Sequence, residues 1–374
     1  MLASTTARPA PPTDGRWLIG RSAEHRELAF RLGERPDLLI VEADPLSGTS
    51  ALLALALDAL PRPVVAVDAR RTGDAGDLAT AIADAAVAAL APQAGGWWNG
   101  GPLDPEAARV ARRLAPIAID ELRRGAGDTL ARLRDALEVV AILGDGDALL
   151  AIDHLDTLLE RLSDADAREL LAAIRSERQR ASAMPLLLIG RTGGRLARSL
   201  RDPAHALYRS GDVLAIHRAT PRRFVDDLAM EGSMVQEPAA LVAAAAELAA
   251  GSPAYVWRIV KRGGPIGGAP RARALTAWQG LCWDAAPQTA QFFEALASTQ
   301  RAAPSVVCAI SSGVAPYRLA INDKTVNAAL NRLRARGIVF RPQPRNWAVS
   351  DPMLAAWARQ HAPGWMRRVA GSAQ

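Results

Sequence analysis

The chain has 374 residues, enough for two or three domains, and 49% hydrophobic against 22% charged residues, which excludes a disordered or fibrous chain. Its net charge of +6 is uneven: residues 264–374 hold 13 Arg/Lys against 4 Asp/Glu, a net of +9 that leaves −3 for the rest, and a basic C-terminal third suits a polyanion, most simply nucleic acid. Two cysteines, Cys282 and Cys308, exclude a disulfide framework or a cysteine metal cluster and fit a reducing cytoplasm, and no uncharged apolar run nears the ~20 residues that span a bilayer.

The first residues, MLASTTARPAPPTDGRW, lack the apolar core of a signal peptide and predict a disordered leader over 1–15. From about Arg16 to Arg218 short apolar strands alternate with helices. The pattern predicts helix over Ala23–Leu32, strand over Leu38–Val41, helix over Thr49–Leu60 and strand over Val64–Val67. Asp77–Leu90 reads as helix, Val139–Leu143 as either type, Leu149–Asp153 as strand and Leu155–Arg180 as one long helix. Pro185–Gly190 and Val213–His217 are the last strands of the series. Short apolar strands separated by helices imply a parallel sheet covered on both faces. Between Pro92 and Asp128 the pattern loosens, and Trp97 and Trp98 sit in a glycine-rich run. They are either a contact surface for a partner or base, or rings tucked onto the domain; the second is commoner for aromatics.

Residues 220–263 read as a helical lid, with helices from Pro221, over Glu237–Ala250, and over Ala254–Lys261 after the break Gly251-Ser252-Pro253. Gly263–Pro270 reads as a linker. Residues 271–374 predict a small domain with helices at Thr289–Ser298, Pro304–Ser311 and Asp323–Arg336. Short strands at Ile338–Arg341 and Asn346–Val349 follow, around the turn Pro342–Arg345. Three helices and a two-stranded ribbon make a winged helix-turn-helix. The whole reads as an α/β protein, a parallel sheet with helices on both faces, then a helical lid and a C-terminal winged helix-turn-helix.

The segment LLIVEADPLSGTSALL, Leu38–Leu53, runs from strand through a tight loop into a helix, the layout of a phosphate-binding loop. Such loops read G-x-x-x-x-G-K-[ST]. Gly48 and Ser50 match, but Ala43 replaces the first glycine and Thr49 the lysine. Only Lys261 and Lys324 occur in the chain, so no lysine lies nearby; this scarcity fits the GC-rich genome of a bacterium.

Other motifs fall in a matching order. Gly20-Arg21-Ser22-Ala23-Glu24 is similar to the GRxxE element that precedes the loop in STAND and archaeal-type AAA+ ATPases, including the origin-recognition initiators. Ala151-Ile152-Asp153-His154 resembles their Walker B strand, Leu187–Arg191 their sensor 1 strand, and Gly251-Ser252-Pro253 the GxP element of their lid. Ile338–Arg341, Asp351-Pro352 and Trp357 resemble the wing and tail of their winged helix. The resemblance covers nearly the whole chain after Arg16. It implies that the lysine position contacts phosphates, that Ser50 and Asp153 belong to a magnesium site, and that a glutamate belongs where His154 stands.

The chemistry of such a site is damaged at several points. Thr49 carries no charge, Pro45 offers no N–H, and Asp44 adds a carboxylate worth ~1–4 kcal/mol of repulsion against a phosphate. His154 is able to act as a base, but lysine and glutamate are both missing. The nucleotide-site remnant is therefore Gly48, Thr49, Ser50, Asp153 and His154, with a strand-to-helix joint as the plain reading and weak ATP or ADP binding without turnover as the alternative. No catalytic residue, metal site or obligatory cofactor is expected. Arg222 and Arg223 suit either a trans-acting finger or a solvated face.

In the third C-terminal helix Val326, Leu330 and Leu333 face the core, and Lys324, Asn327, Asn331 and Arg334 share another face. Basic groups serve phosphates and guanine, and asparagines serve adenine edges. Arg332 suits phosphate, and Arg341 and Arg345 lie on or at the tip of the wing. The expectation is a DNA-associated scaffold or adaptor with an inactive ATPase-like core, bound to duplex DNA and to a protein partner or its own copies. A nucleotide-switched STAND-type signalling ATPase and a protein-interaction subunit without DNA contact are the alternatives.

Overall fold

The computed structural model describes residues 20–90, 128–143, 148–180, 184–230, 239–343 and 346–370. The leader, the Trp97/Trp98 loop and Arg345 lie outside them. In chain order the elements are α1 (Ser22–Gly33), β1 (Leu38–Ala43), α2 (Thr49–Asp58), β2 (Val64–Asp68), α3 (Ala75–Leu90) and α4 (Thr129–Leu143). There follow β3 (Leu149–Asp153), α5 (Leu155–Leu159), α6 (Asp164–Arg180), β4 (Leu186–Arg191), α7 (Arg195–Ser199), β5 (Asp212–Ile216), α8 (Pro221–Met230), α9 (Ala239–Leu248) and α10 (Pro253–Gly263). The rest comprises α11 (Pro270–Thr299), α12 (Ala303–Ser311), α13 (Asp323–Ala335), β6 (Val339–Gln343), β7 (Asn346–Val349) and α14 (Pro352–Ala370).

The chain divides into two compact units. The first comprises residues 1–40, 48–189 and 203–214; the second comprises 41–47, 190–202 and 215–374. The five N-terminal strands form a parallel sheet in the order β2-β3-β4-β1-β5. β1 and β3 are buried throughout, which is why they read as unbroken apolar runs. β5, at the sheet edge, alternates toward solvent. The expected strands are all present, within two residues of their predicted ends. The ambiguous Val139–Leu143 belongs to α4, which packs on α3.

Three helical predictions are corrected. Leu155–Arg180 is two helices, because the Ser163 side chain caps α6 and starts it afresh. The Ser163 hydroxyl donates to Asp166 Oδ2 at 2.7 Å and accepts from the Asp166 N–H at 3.2 Å. The helix predicted over Thr289–Ser298 begins 19 residues earlier, at Pro270, and runs straight through Pro287. That proline supplies no N–H for the Trp283 carbonyl, but its ring sits at an exposed position and the helix continues. A final helix, α14, was not anticipated; Asp351 caps it, accepting from the Met353 N–H at 2.8 Å, with Pro352 at its first position.

The second unit holds helices α7–α14 and the ribbon. The segment expected to be a linker is tied down: Arg273 donates to the carbonyls of Gly263 at 3.0 Å and Gly264 at 2.6 Å. Phe293, Val306, Val307, Val326, Leu330, Leu333 and Val349 form the core under α13 and the ribbon. β6 and β7 pair antiparallel, Val339 with Val349 and Phe340 with Ala348. The three helices α11, α12 and α13 and the two strands β6 and β7 follow one another in the order set out from the sequence. Tyr255 on α10 donates to Asp351 at 3.1 Å, and burial and that carboxylate push its phenol above the ordinary value. Both cysteines are free, and burial raises Cys282 to about 11 and Cys308 to about 12. No helix among the described residues is long and apolar enough to cross a membrane.

Gly251 closes α9 with a left-handed φ of +72°, its N–H on the Ala246 carbonyl at 3.0 Å. A Cβ there would lie 2.1 Å from the Ala219 carbonyl oxygen. Gly251→Ala therefore loses more than ~2 kcal/mol of stability in urea unfolding, through strain and a backbone clash that no rotamer relieves. Gly33→Ala, which meets nothing within 4 Å, stays within ~0.5 kcal/mol of the parent.

Candidate functional site

In open α/β sheets ligands bind beyond the carboxyl ends of the strands. In the first unit those ends carry a pair of carboxylates. The register sets Asp68 at the end of β2 beside Asp153 at the end of β3. Like charges at adjacent strand positions repel, and two side chains answer them. Arg70, in the short turn after β2, donates from Nε to both Asp68 oxygens at 2.9 and 3.0 Å. His154 Nδ1 lies 2.9 Å from Asp153 Oδ2 and 3.7 Å from Asp68 Oδ1. Burial raises the Asp68 carboxyl, but the Arg70 hydrogen bonds and charge, with His154 beside it, hold it below its ordinary value. Asp68 in turn raises Arg70.

The predicted remnant residues of this unit are brought together. Gly48 caps α2 with φ +84°, a conformation that favours glycine. Thr49 begins α2 and is buried. The Ser50 hydroxyl donates to Asp153 Oδ2 at 3.5 Å, and the other Asp153 oxygen accepts from the His154 N–H at 2.7 Å. His154 stands at the head of α5 with a left-handed φ of +57°, without a side-chain capping bond. Asp156, expected at the surface or on a cap, is buried. Sequence reasoning missed Asp68 and Arg70. Their signal was the Asp-Ala-Arg turn directly after a strand parallel to β3.

In the second unit the loop residues Asp44 and Pro45 are held by Arg218. The Arg218 N–H donates to Asp44 Oδ2 at 3.1 Å and its Nε to the Pro45 carbonyl at 3.0 Å. Its Nη2 donates to the Ser350 carbonyl, and the guanidinium lies 5.2 Å over the Phe340 ring. Burial lowers the Arg218 pKa, with Asp44 and Asp351 acting the other way. The Asp44 N–H donates to the Ile216 carbonyl at 2.9 Å, and the Ser47 N–H to the Asp44 carbonyl at 3.2 Å. Asp44 Oδ1 is buried with no hydrogen-bond partner. Buried Glu42 is paired by Arg201 at 2.9 and 3.0 Å. Arg222 is exposed and lies 3.5 Å from Asp226.

On α13, Val326, Leu330 and Leu333 are buried as predicted, and Lys324, Asn327, Asn331 and Arg332 are exposed. Arg334 is placed differently: its Nη2 donates to the Gly193 carbonyl of the same unit. Arg191, at the end of β4, donates to the carbonyls of Arg334 at 3.4 Å and Ala335 at 3.3 Å, a cation on the negative end of α13. Arg341 is exposed and stacks over Trp347 at 4.3 Å. Sequence periodicity gave Arg334 a face; it carried no information about which loop covers that face.

The fold has solved counterparts. The chain is similar to the Walker-type ATPase PABY2304 of Pyrococcus abyssi, with a TM-score of 0.63 at 18% identity over 91% of this chain and 95% of that one. It is also similar to the ORC2 protein of Aeropyrum pernix in its ADPNP–ADP complexes, with a TM-score of 0.51 at 12% identity over 94% and 95% of the two chains. These likenesses show the fold. No family model and no curated protein matches the chain.

Two outcomes follow from this geometry. Arg218→Ala loses about 2 kcal/mol in urea unfolding, because two carbonyls and an aromatic face lose a charged partner. Arg218→Lys recovers little of it, since an ammonium lacks the planar fork and its stacking face. Asp68, held below its ordinary pKa, contributes stability above about pH 4 that is lost as pH falls through the lowered value. Asp68→Asn therefore gives a flatter dependence of the urea midpoint on pH in the acid range.

Proposed function

We propose that the chain is a DNA-associated scaffold or adaptor with an AAA+-type core that does not turn over nucleotide. Duplex DNA is held by the exposed face of α13 and the ribbon. The observation that carries this reading is the state of α13. Its apolar stripe is buried, whereas Lys324, Asn327, Asn331 and Arg332 are exposed, as is Arg341 of the ribbon. A recognition helix displays such residues to the major groove, with wing cations on the backbone. Of the residues expected at the interface, Arg334 is left out because of its contact with Gly193.

The residues of the remnant do not suit a triphosphate with its metal. Thr49 offers no charge and Pro45 no N–H, and the N–H groups of Asp44 and Ser47 already serve carbonyls. Asp44 keeps a buried, unpartnered carboxylate oxygen. Beside Asp153 the ring of His154 stands where a water-orienting glutamate is called for. The proposed scaffold pairs with its own copies or with another protein and works in the cytoplasm, where free thiols persist. A second reading, nucleotide held as a switch without turnover, is favoured by one observation: Ser50 and Asp153 still meet. The nucleotide complexes of the A. pernix fold counterpart fit it too.

Calorimetric titration with Mg-ATP separates the two: the scaffold gives no heat of binding, and micromolar affinity establishes the switch. Gel shifts of the full chain across a salt series test the DNA face. Lys324→Ala with Arg341→Ala lowers the salt slope by about 2, since each phosphate contact contributes roughly 0.9. An unchanged slope and affinity in that variant removes the α13 face as the DNA site, and a parent that binds no duplex at any salt leaves the protein-interaction subunit.

A further inference from the structure

A tyrosine that the sequence did not single out stands beside the helix proposed to read DNA. Tyr317 lies in the short turn Pro316–Arg318 between α12 and α13. That turn is pinned. Pro316 is buried, the Arg318 N–H donates to the Ala315 carbonyl at 2.9 Å, and the Leu319 N–H to the Pro316 carbonyl at 3.2 Å. The start of α13 is pinned too, by the Asn322 side chain accepting from the Lys324 N–H at 2.8 Å. From this fixed turn the Tyr317 hydroxyl donates to Asn327 Oδ1 at 2.7 Å. Yet the ring is 45% exposed, and it lies outside the apolar core beneath α13.

An exposed hydrogen bond between two side chains competes with water and adds little to stability. Its larger effect is on freedom. An isolated asparagine amide rotates and offers either its oxygen or its nitrogen. With Oδ1 engaged by Tyr317, Asn327 keeps one oxygen lone pair and both Nδ2 hydrogens for a partner. Asn331, one turn further on, has no such partner among the described residues and stays free to use both ends. In the major groove the two asparagines then differ in chemistry. A free amide suits adenine, where it accepts from N6 and donates to N7. Asn327, whose oxygen already accepts from a phenol, is the weaker acceptor of the two and better used as a donor, and guanine, with N7 and O6, offers two acceptors.

We infer that Asn327 reads a guanine acceptor edge and that Tyr317 is its positioning residue. The inference rests on the duplex-binding reading of α13. Holding the amide before contact lowers the ordering cost of binding, and it biases the choice of base rather than the affinity for phosphate.

The test is selection of bound duplexes from a randomised pool by the full chain, followed by titration of the selected site and its single-base variants. The parent selects guanine at one position. Tyr317→Phe removes only a hydroxyl. It weakens that preference roughly five- to tenfold while overall affinity and salt slope stay within about twofold of the parent. Asn327→Ala loses the same preference at the same position, and the double variant is no worse than Asn327→Ala alone. Thermal unfolding of each variant confirms an intact fold. A Tyr317→Phe profile identical to the parent's overturns the inference, as does an equal loss on every sequence, which marks a structural or phosphate role. A parent that binds duplexes without preference also overturns it and leaves the DNA-associated reading standing. A parent that binds no duplex ends both.

Discussion

Arginine side chains on carbonyls and one carboxylate fasten the second unit together. That unit is assembled from three stretches of chain, residues 41–47, 190–202 and 215–374. Each junction between them carries a guanidinium. Arg218 joins Pro45 to Ser350, Arg201 joins the 190–202 stretch to Glu42, and Arg191 with Arg334 joins that stretch to the end of α13. A guanidinium suits the task because its five donors lie in a fixed plane, so one side chain bonds two carbonyls from separate segments. In a chain with only Lys261 and Lys324 as lysines, arginine is also nearly the only cation at hand.

The first unit meets a different constraint at the ends of its strands. Its parallel register puts Asp68 and Asp153 side by side, and such a pair needs compensating positive charge. Arg70 supplies it on Asp68, while the His154 ring stands against Asp153 at 2.9 Å. On the proposed reading this is why Thr49 and His154 are tolerated where the resemblance calls for lysine and glutamate. The left-handed backbone at His154 places the ring nitrogen within ion-pair distance of both carboxylates.

The strands were legible because a buried parallel sheet leaves unbroken apolar runs, as in Leu38–Ala43 and Leu149–Asp153. The cluster at the carboxyl edge of the sheet was legible for a related reason: Asp153 ends β3 and Gly48 and Ser50 open α2 after β1, where the fold alone brings Ser50 to Asp153. Helix boundaries were harder. Pro287 reads as a breaker, yet an exposed proline is accommodated within a 30-residue helix that is packed at both ends. Ser163 is an ordinary polar residue until Asp166 completes its cap. Side-chain destinations were the least visible. The period of α13 separates Leu333 from Arg334, but only the placement of Gly193 shows where Arg334 goes. Tyr317 falls in a turn with no period at all, so its hydrogen bond to Asn327 left no trace in the pattern.

The two kinds of charge compensation bear on what the fold is able to do. A ligand shifts a conformation only by binding one arrangement better than another. In the second unit, the contacts that fasten loop residue Pro45 to Ser350 are made by a side chain that stays charged at physiological pH, to backbone carbonyls that do not titrate. Neither partner is supplied by a nucleotide. The same unit contains α13, whose C-terminal carbonyls are held by Arg191 in the same manner. Within that unit the display of Lys324, Asn327 and Asn331 is therefore set by covalently present groups, as suits a constant platform. A switch would need at least one of these fastenings to depend on something that comes and goes.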